Sequence, residues 1–493
     1  MRASSWASTT TRRARSVNRS NIRNSSASLG SRPLRGGERG TGGLTPLPAY
    51  AFPSQTERRP LSANSGSIGR CDGRAPCAGE PRRGEWPTLP AGSPAVSLSS
   101  RRLEPGPAFA VVVAAFGVTM IGTTLPTPLY GEYQARFDFS LTMVTVIFAT
   151  YAVGVLAALL LTGRWSDAIG RRPMLLAGLA LSAASDVVFL AADATWVLLA
   201  GRLVSGVSAG MYVGTATAAV LESAPERWRR RAPLVATAAN IGGLGLGPLV
   251  AAVLITLGPW PVHLSFALHL AAAVLVGALL LRVPETVVVR PGARLSVARP
   301  EVPAQARTTF AGAAIAGFAG FSVLGLMTAV SPRFVLEAVP DAGAILSVSV
   351  VVVLFLASVA AQLLSRQVPL ATAVNLGCAL LALGTATLAV AIGVDSLPLM
   401  LVSAVLGGTG QGLSFSKGLA SVLAKVEPAQ RAGTTSAFFV VAYVAISLPV
   451  VGDGLASQRW GLVPAGVAFS LAVALLSVVA LLTLVVDQRR AAA

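Results

Sequence analysis

A chain of 493 residues that is 53% hydrophobic and only 12% charged, with a mean hydropathy of +0.67, lies outside the soluble globular range, where about 25% of residues are charged. Its net charge of +18 is unevenly spread. Residues 1–102 hold 17 arginines against five acidic residues, a net +12, and the remaining basic residues sit in short breaks between apolar runs, which is membrane topology rather than a nucleic-acid-binding face.

In chain order, residues 1–104 are rich in Arg, Ser, Gly and Pro and show no apolar periodicity. Such a stretch cannot bury enough surface to offset the entropy of ordering, so a disordered tail is expected. It has no continuous apolar core ending in a small-residue cleavage site, so it does not read as a signal peptide. From Pro107 the chain becomes a train of apolar stretches of about 20 residues, the length a helix needs to cross the hydrocarbon core. Twelve are expected, at about 107–127, 141–162, 173–192, 196–220, 233–257, 262–283, 310–330, 342–364, 369–392, 397–416, 432–450 and 462–486. The shortest breaks, 192–196 and 257–262, still carry turn chemistry in Asp193 and in Gly258, Pro259 and Pro261.

Breaks after even-numbered spans, with the segment after the last span, hold 18 basic residues, and breaks after odd-numbered spans hold only Arg136, Arg333 and Arg459. Positive charge stays on the cytoplasmic side, so both termini are expected there. The longest break, about Pro284 to Thr309, is polar, contains four prolines and divides the spans six and six. The expected organisation is a cytoplasmic tail over 1–104, a six-helix bundle over 105–285, a cytoplasmic linker over 286–308, a second six-helix bundle over 309–487 and a short tail over 488–493. An all-α membrane protein of two such bundles can rock about a midplane site. Lysine occurs only at Lys417 and Lys425; with abundant Ala, Gly and Val, this reads as a GC-rich bacterial genome and hence a bacterial inner membrane.

The break between the second and third spans reads Gly163-Arg-Trp-Ser-Asp167-Ala-Ile-Gly170-Arg171-Arg172. It resembles the signature Gly-x3-Asp-x2-Gly-Arg-Arg/Lys of the major facilitator superfamily, and the resemblance extends over about residues 107–487. Trp165 stands where Leu is usual and Ala168 where Arg is common. The resemblance implies a latch in which Asp167 contacts the opposite bundle and holds the cytoplasmic side closed. Its partner would be the helix N-terminus near Gly433 to Ser436, after the basic turn Glu427 to Arg431. The second half has no copy of the loop: Ser365-Arg366-Gln367-Val-Pro369 lacks both Gly and Asp.

In the fourth span, Arg202-x3-Gly206-x3-Gly210 resembles a family motif linked to proton coupling. An arginine two turns inside a membrane helix is expensive unless it faces a cavity or a partner. Asp186 lies about seven residues from the outer end of the third span and Arg202 about seven residues into the antiparallel fourth. At ~1.5 Å per residue they reach similar depth, so a proton-sensitive Asp186–Arg202 pair is expected. The fifth span, through Gly243, Gly247 and Pro248, resembles the Gly-x3-Gly-Pro signature of exporters, although Val250, Ala251 and Ala252 replace its trailing glycine pair. Pro284-Glu285-Thr286 resembles the end of the first half in drug-exporting members. Polar residues stranded at membrane depth, chiefly Thr123, Tyr212, Asn240, His269, Gln362, Asn375, Gln411 and Tyr443, are candidates for a substrate cavity.

No Gly-x4-Gly-Lys-Ser/Thr phosphate loop occurs, so a gradient, by default of protons, rather than ATP is the expected energy source. Cys71, Cys77, Cys378, His263 and His269 show no metal-ligand spacing, disulfide framework or nucleophile–base arrangement. No cofactor, metal or catalytic residue is therefore expected. The expected protein is a monomer in the lipid bilayer, exchanging protons for a small apolar or amphipathic molecule and binding no nucleic acid. Proton-driven uptake of a sugar or metabolite is the alternative within transport. A non-transporting receptor or scaffold of the same fold is the alternative outside it.

Overall fold

The computed structural model describes residues 102–287, 295–297 and 299–492. The tail expected over 1–104, with Cys71 and Cys77, lies almost wholly outside the described residues, as does part of the 286–308 linker with Arg290 and Arg294. Among the described residues the structure is helical, with no strand. Twelve helices among these described residues are long and apolar enough to cross a membrane: α1 Pro105–Phe137, α2 Leu141–Thr162, α3 Arg171–Leu190, α4 Thr195–Ser223, α5 Ala232–Leu257, α6 Pro261–Leu280, α7 Ala304–Ala338, α8 Ser349–Gln367, α9 Leu370–Gly393, α10 Leu397–Leu423, α11 Pro428–Trp460 and α12 Leu462–Arg490. Each coincides with an expected span. Several run on past their apolar stretch, and helix continues through the expected C-terminal tail to Ala492, because amphipathic ends leaving the hydrocarbon keep their own hydrogen bonds.

Local chemistry places the breaks. Pro126 and Pro128 reduce α1 to a 3-10 turn at Thr127–Leu129, and Asp138, in the left-handed region at φ 49°, ends it. The Ser140 hydroxyl then accepts a hydrogen bond from the Met143 amide at the start of α2. Trp260, at φ 56°, turns the chain between α5 and α6.

Packing follows two sets of six. In the first, α1 lies against α4, α5 and α6, α2 against α4, and α3 against α4 and α6; in the second, α7 lies against α10, α11 and α12, α8 against α10, and α9 against α10 and α12. The sets meet mainly where α2 packs on α11 and α5 on α8. The most apolar windows of α6 and α12 are only 28% buried, against 89% for α7, so α6 and α12 offer their leucines and valines to lipid while α7 is central. Odd-numbered helices begin, and even-numbered helices end, on one face, termed here the terminal face. Trp196, Trp260 and Trp460, all more than 60% exposed, lie near the opposite face, as a tryptophan belt at a membrane boundary would.

Close helix approach depends on glycine. A methyl at Gly210 would come within 2.6 Å of the Val155 carbonyl oxygen, and one at Gly206 would run into that of Tyr151. The second set repeats this: Gly412 faces the Ser358 carbonyl at 2.6 Å and Gly408 that of Leu354. Small residues thus seat α4 on α2 and α10 on α8.

Candidate functional site: a central cavity and its terminal-face network

The loop from Gly163 to Arg172 builds a charge network at the end of the first six helices. Arg171 reaches Asp167 at 2.6 Å and Glu222 at 3.0 Å, and donates to the Ser166 hydroxyl at 2.6 Å. Glu285, from the segment after α6, accepts from the backbone amides of Arg171 at 2.8 Å and Arg172 at 3.0 Å. A carboxylate thereby caps the N-terminus of α3, where free amides and the helix dipole favour negative charge. Gly170 fits this geometry twice over. Its φ of 105° suits glycine, and a side chain there would press into the Glu285 carboxylate. Arg172 donates to the Val283 carbonyl at 3.2 Å, and Thr286 to Glu222 at 2.7 Å. The ends of α3, α4 and α6 are fastened into one block.

Asp167 does not meet the N-terminus of α11. Its side chain is 67% exposed and its ion pair is with Arg171 in its own loop. Around Gly433, α11 instead holds the linker: the Glu301 amide donates to the Gly433 carbonyl at 3.3 Å, and the Thr434 hydroxyl donates to the Glu301 carbonyl at 3.1 Å. Between the two lies a vestibule of about 530 Å³, lined by Gly163 and Arg164 on one side and Arg431, Thr435 and Ser436 on the other. The expected latch contact is therefore open in this state.

At membrane depth, the expected Asp186–Arg202 pair is not formed. Asp186 is 3% exposed and pairs with His269 of α6, carboxylate oxygen to Nδ1 at 2.7 Å. The other ring nitrogen faces the Val118 carbonyl of α1 at 2.8 Å. With Asp186 ionised both nitrogens face acceptors and the doubly protonated ring donates to both; with Asp186 protonated the neutral ring accepts at Nδ1 and donates at Nε2, so either way the pair holds a proton. Depth arithmetic brought Asp186 level with Arg202 but could not give the direction in which each side chain leaves its helix. A methyl at Gly122 would fall within 2.6 Å of His269 Nε2, so the bare backbone there makes room for the ring.

Arg202, 1% exposed, turns the other way, toward α1 and α2. Its guanidinium donates to the Thr123 carbonyl and lies over the rings of Tyr151 and Phe148, at 4.6 Å and 5.7 Å from their centroids. Among the described residues its Nε has no hydrogen-bond partner. Arg202 thereby lines a central cavity of about 100 Å³.

Thr123, Asn240, Gln411 and Tyr443 also line this cavity, from both sets of helices. Tyr212, His269, Gln362 and Asn375 do not. The Tyr212 hydroxyl donates to the Leu175 carbonyl at 2.9 Å, Gln362 donates to the Ser358 hydroxyl at 3.3 Å, and Asn375 donates to Gln488 at 2.8 Å; each serves packing within its own bundle. The apolar wall, with Phe148, Phe321, Phe355, Phe415 and Phe439, escaped sequence reading, because an aromatic residue in an apolar span looks the same whether it faces core, lipid or cavity. Asn240, Val213 and Phe439 border both cavity and vestibule, so the cavity leads out toward the terminal face. On the opposite face, α2 and α11 touch, with the Thr142 hydroxyl donating to the Gly454 carbonyl at 2.7 Å.

In α5, Gly243 and Gly247 lie against α1, with Gly243 facing Met120 and Gly247 the Ile121 carbonyl. Pro248 has no amide hydrogen to give the Leu244 carbonyl one turn back, and the Thr124 hydroxyl of α1 supplies the missing bond at 2.7 Å. Just before it, Ala238–Gly242 forms a π-helical turn.

A family model described as Major Facilitator Superfamily matches residues 108–450. The chain is 34% identical over 156 residues to the class D tetracycline resistance protein of Salmonella ordonez, over 31% of this chain and 38% of that protein. It is 25% identical over 167 residues to multidrug resistance protein 2 of Bacillus subtilis, over 34% of this chain and 42% of that protein. The matched stretch therefore spans well under half the length of these relatives. Among solved structures, the human organic anion transporter MFSD10 is similar with a TM-score of 0.58 at 18% identity, over 78% of this chain and 100% of that one. The nucleoside transporter NupG is similar with a TM-score of 0.61 at 12% identity, over 77% and 99%. At these identities the structures speak for the fold alone.

Proposed function

The chain belongs to the major facilitator superfamily, and from that membership we propose that it is a secondary active transporter exporting a small apolar or amphipathic molecule in exchange for protons. The bundles over 105–285 and 309–487 form two lobes joined by the linker over 286–308. The terminal face is cytoplasmic, in keeping with its arginines, and the membrane is the bacterial inner membrane. The observation that carries this reading is the shared lining of the central cavity and the terminal-face vestibule, with α2 and α11 in contact on the opposite face. Such an arrangement is one half of an alternating-access cycle. Rocking the lobes would bring Asp167 toward the N-terminus of α11 and part Thr142 from Gly454.

Coupling falls to the first lobe. The Asp186–His269 pair holds a proton between α3 and α6, and Arg202 supplies fixed positive charge at the cavity wall. Buried charge inside a membrane domain is costly enough that it marks ion and substrate pathways. Similarity to tetracycline and multidrug resistance proteins and the Gly243–Gly247–Pro248 element favour export over uptake.

The test is drug susceptibility and efflux in a host stripped of its own exporters, with the proton gradient collapsed as a control. Gradient-dependent efflux that Asp186→Asn abolishes while the protein still folds is the expected result. Efflux that survives the collapsed gradient, or accumulation in place of efflux, would overturn the reading.

A further inference from the structure

We propose that the central cavity selects amphipathic organic anions: an aromatic or apolar body against the cavity's rings, with a carboxylate-type charge at Arg202. This rests on reading the cavity as the substrate site and adds the sign of the substrate's charge.

The first ground is a charge without a counter-charge. Arg202 is 1% exposed, yet among the described residues it has no carboxylate within ion-pair distance; Asp186, the acid at its depth, is taken up by His269. One backbone carbonyl and two ring faces meet the guanidinium, and Nε is left without a bond. A cation this deep in a membrane domain is costly until something negative meets it. The planar guanidinium fork matches a carboxylate better than a point charge would.

The second ground is independent of Arg202. Among the described residues, no aspartate or glutamate lines either the cavity or the vestibule, while Arg164 and Arg431 stand in the vestibule wall. The described lining from the terminal face to the centre therefore carries positive charge only. Walls of low dielectric focus such a field, concentrating anions and repelling cations. Phe321, Phe355, Phe415 and Phe439 provide the surface for the apolar body, and Asn240 and Gln411 are among the neutral polar groups that can orient it.

The experiment uses the full-length protein in lipid nanodiscs and three probes on one skeleton: 2-naphthylacetate, the neutral 2-naphthylethanol and the cation 2-naphthylethyl-trimethylammonium. Equilibrium binding should favour the anion over the neutral probe by at least about tenfold, with the cation weakest. Arg202→Gln should bring the anion down to the affinity of the neutral probe, and Arg202→Lys should restore part of the preference. Should Arg202→Gln fail to fold, the Arg164→Gln/Arg431→Gln double variant should still slow association of the anion severalfold without slowing the neutral probe. A cation that binds as tightly as the anion, an anion preference untouched in Arg202→Gln, or no binding of any probe would overturn the proposal. Binding is read without a gradient. Anion preference without gradient-driven flux in proteoliposomes would contradict the transport reading alone, and gradient-driven flux of the cation would contradict the charge selection alone.

Discussion

The two halves of the molecule share a packing skeleton and differ in where charge is placed. Gly206 and Gly210 seat α4 on α2 as Gly408 and Gly412 seat α10 on α8. The Pro248 device in α5 also recurs: Pro449 in α11 leaves the Ala445 carbonyl without its helical donor, and Ser322 of α7 donates to it at 3.2 Å, as Thr124 of α1 does to Leu244. Four residues before Gly206 stands Arg202; four before Gly408 stands Ala404. The first half carries the Asp186–His269 pair and the Asp167–Arg171–Glu222 network. The second carries a buried Asp453 whose two carboxyl oxygens have no hydrogen bond among the described residues, and at the place of the network a Lys417 bond to the Ser365 carbonyl at 2.6 Å. Repeated geometry is what two lobes rocking on each other need. Under the proposed function, unequal charge would let one lobe bind ions while the other mainly shapes the pocket.

The largest expected effect would test the shared skeleton. Gly206→Leu and Gly408→Leu should each cost about 3 kcal/mol or more, because the facing carbonyl belongs to a backbone that cannot yield. Thermal unfolding in detergent should show comparable losses for both, and tolerance of one alone would break the equivalence. Next comes the charge contrast. Asp186→Asn breaks a buried pair and should cost about 3 kcal/mol, whereas Asp453→Asn, with no partner to lose, should stay within about 1 kcal/mol. Equal losses at the two sites would contradict the asymmetry. Smallest are the proline caps: Thr124→Val and Ser322→Ala should each cost about 1 kcal/mol by orphaning one carbonyl, and a loss at only one would show that α5 and α11 are not held alike.

Most of the fold was legible because the bilayer imposes it. Uninterrupted apolar length marks each helix, and arginine marks one face. The Gly163-to-Arg172 loop was legible in residue type, but its geometry depends on Glu285, 114 residues after Arg171 in the chain; the Pro284-Glu285-Thr286 segment carried that signal without showing what it caps. Gly408-x3-Gly412 could have been found by matching its spacing to Gly206-x3-Gly210. The partner of Asp186 could not. Depth alone pointed to Arg202, and helix rotation, which chose His269, is set by the packing of α3 on both α4 and α6.

The account's central claim is that the lobes rock about the central cavity, and a distance across the vestibule tests it most directly. Spin labels at Arg164 of the first lobe and Ala432 of the second, both exposed at the vestibule rim, would report that distance by pulsed electron resonance in bilayers. The account predicts two populations, a long distance matching this open state and a short one in which the terminal face is shut, with substrate and pH shifting the balance. A single long distance under every condition would contradict it.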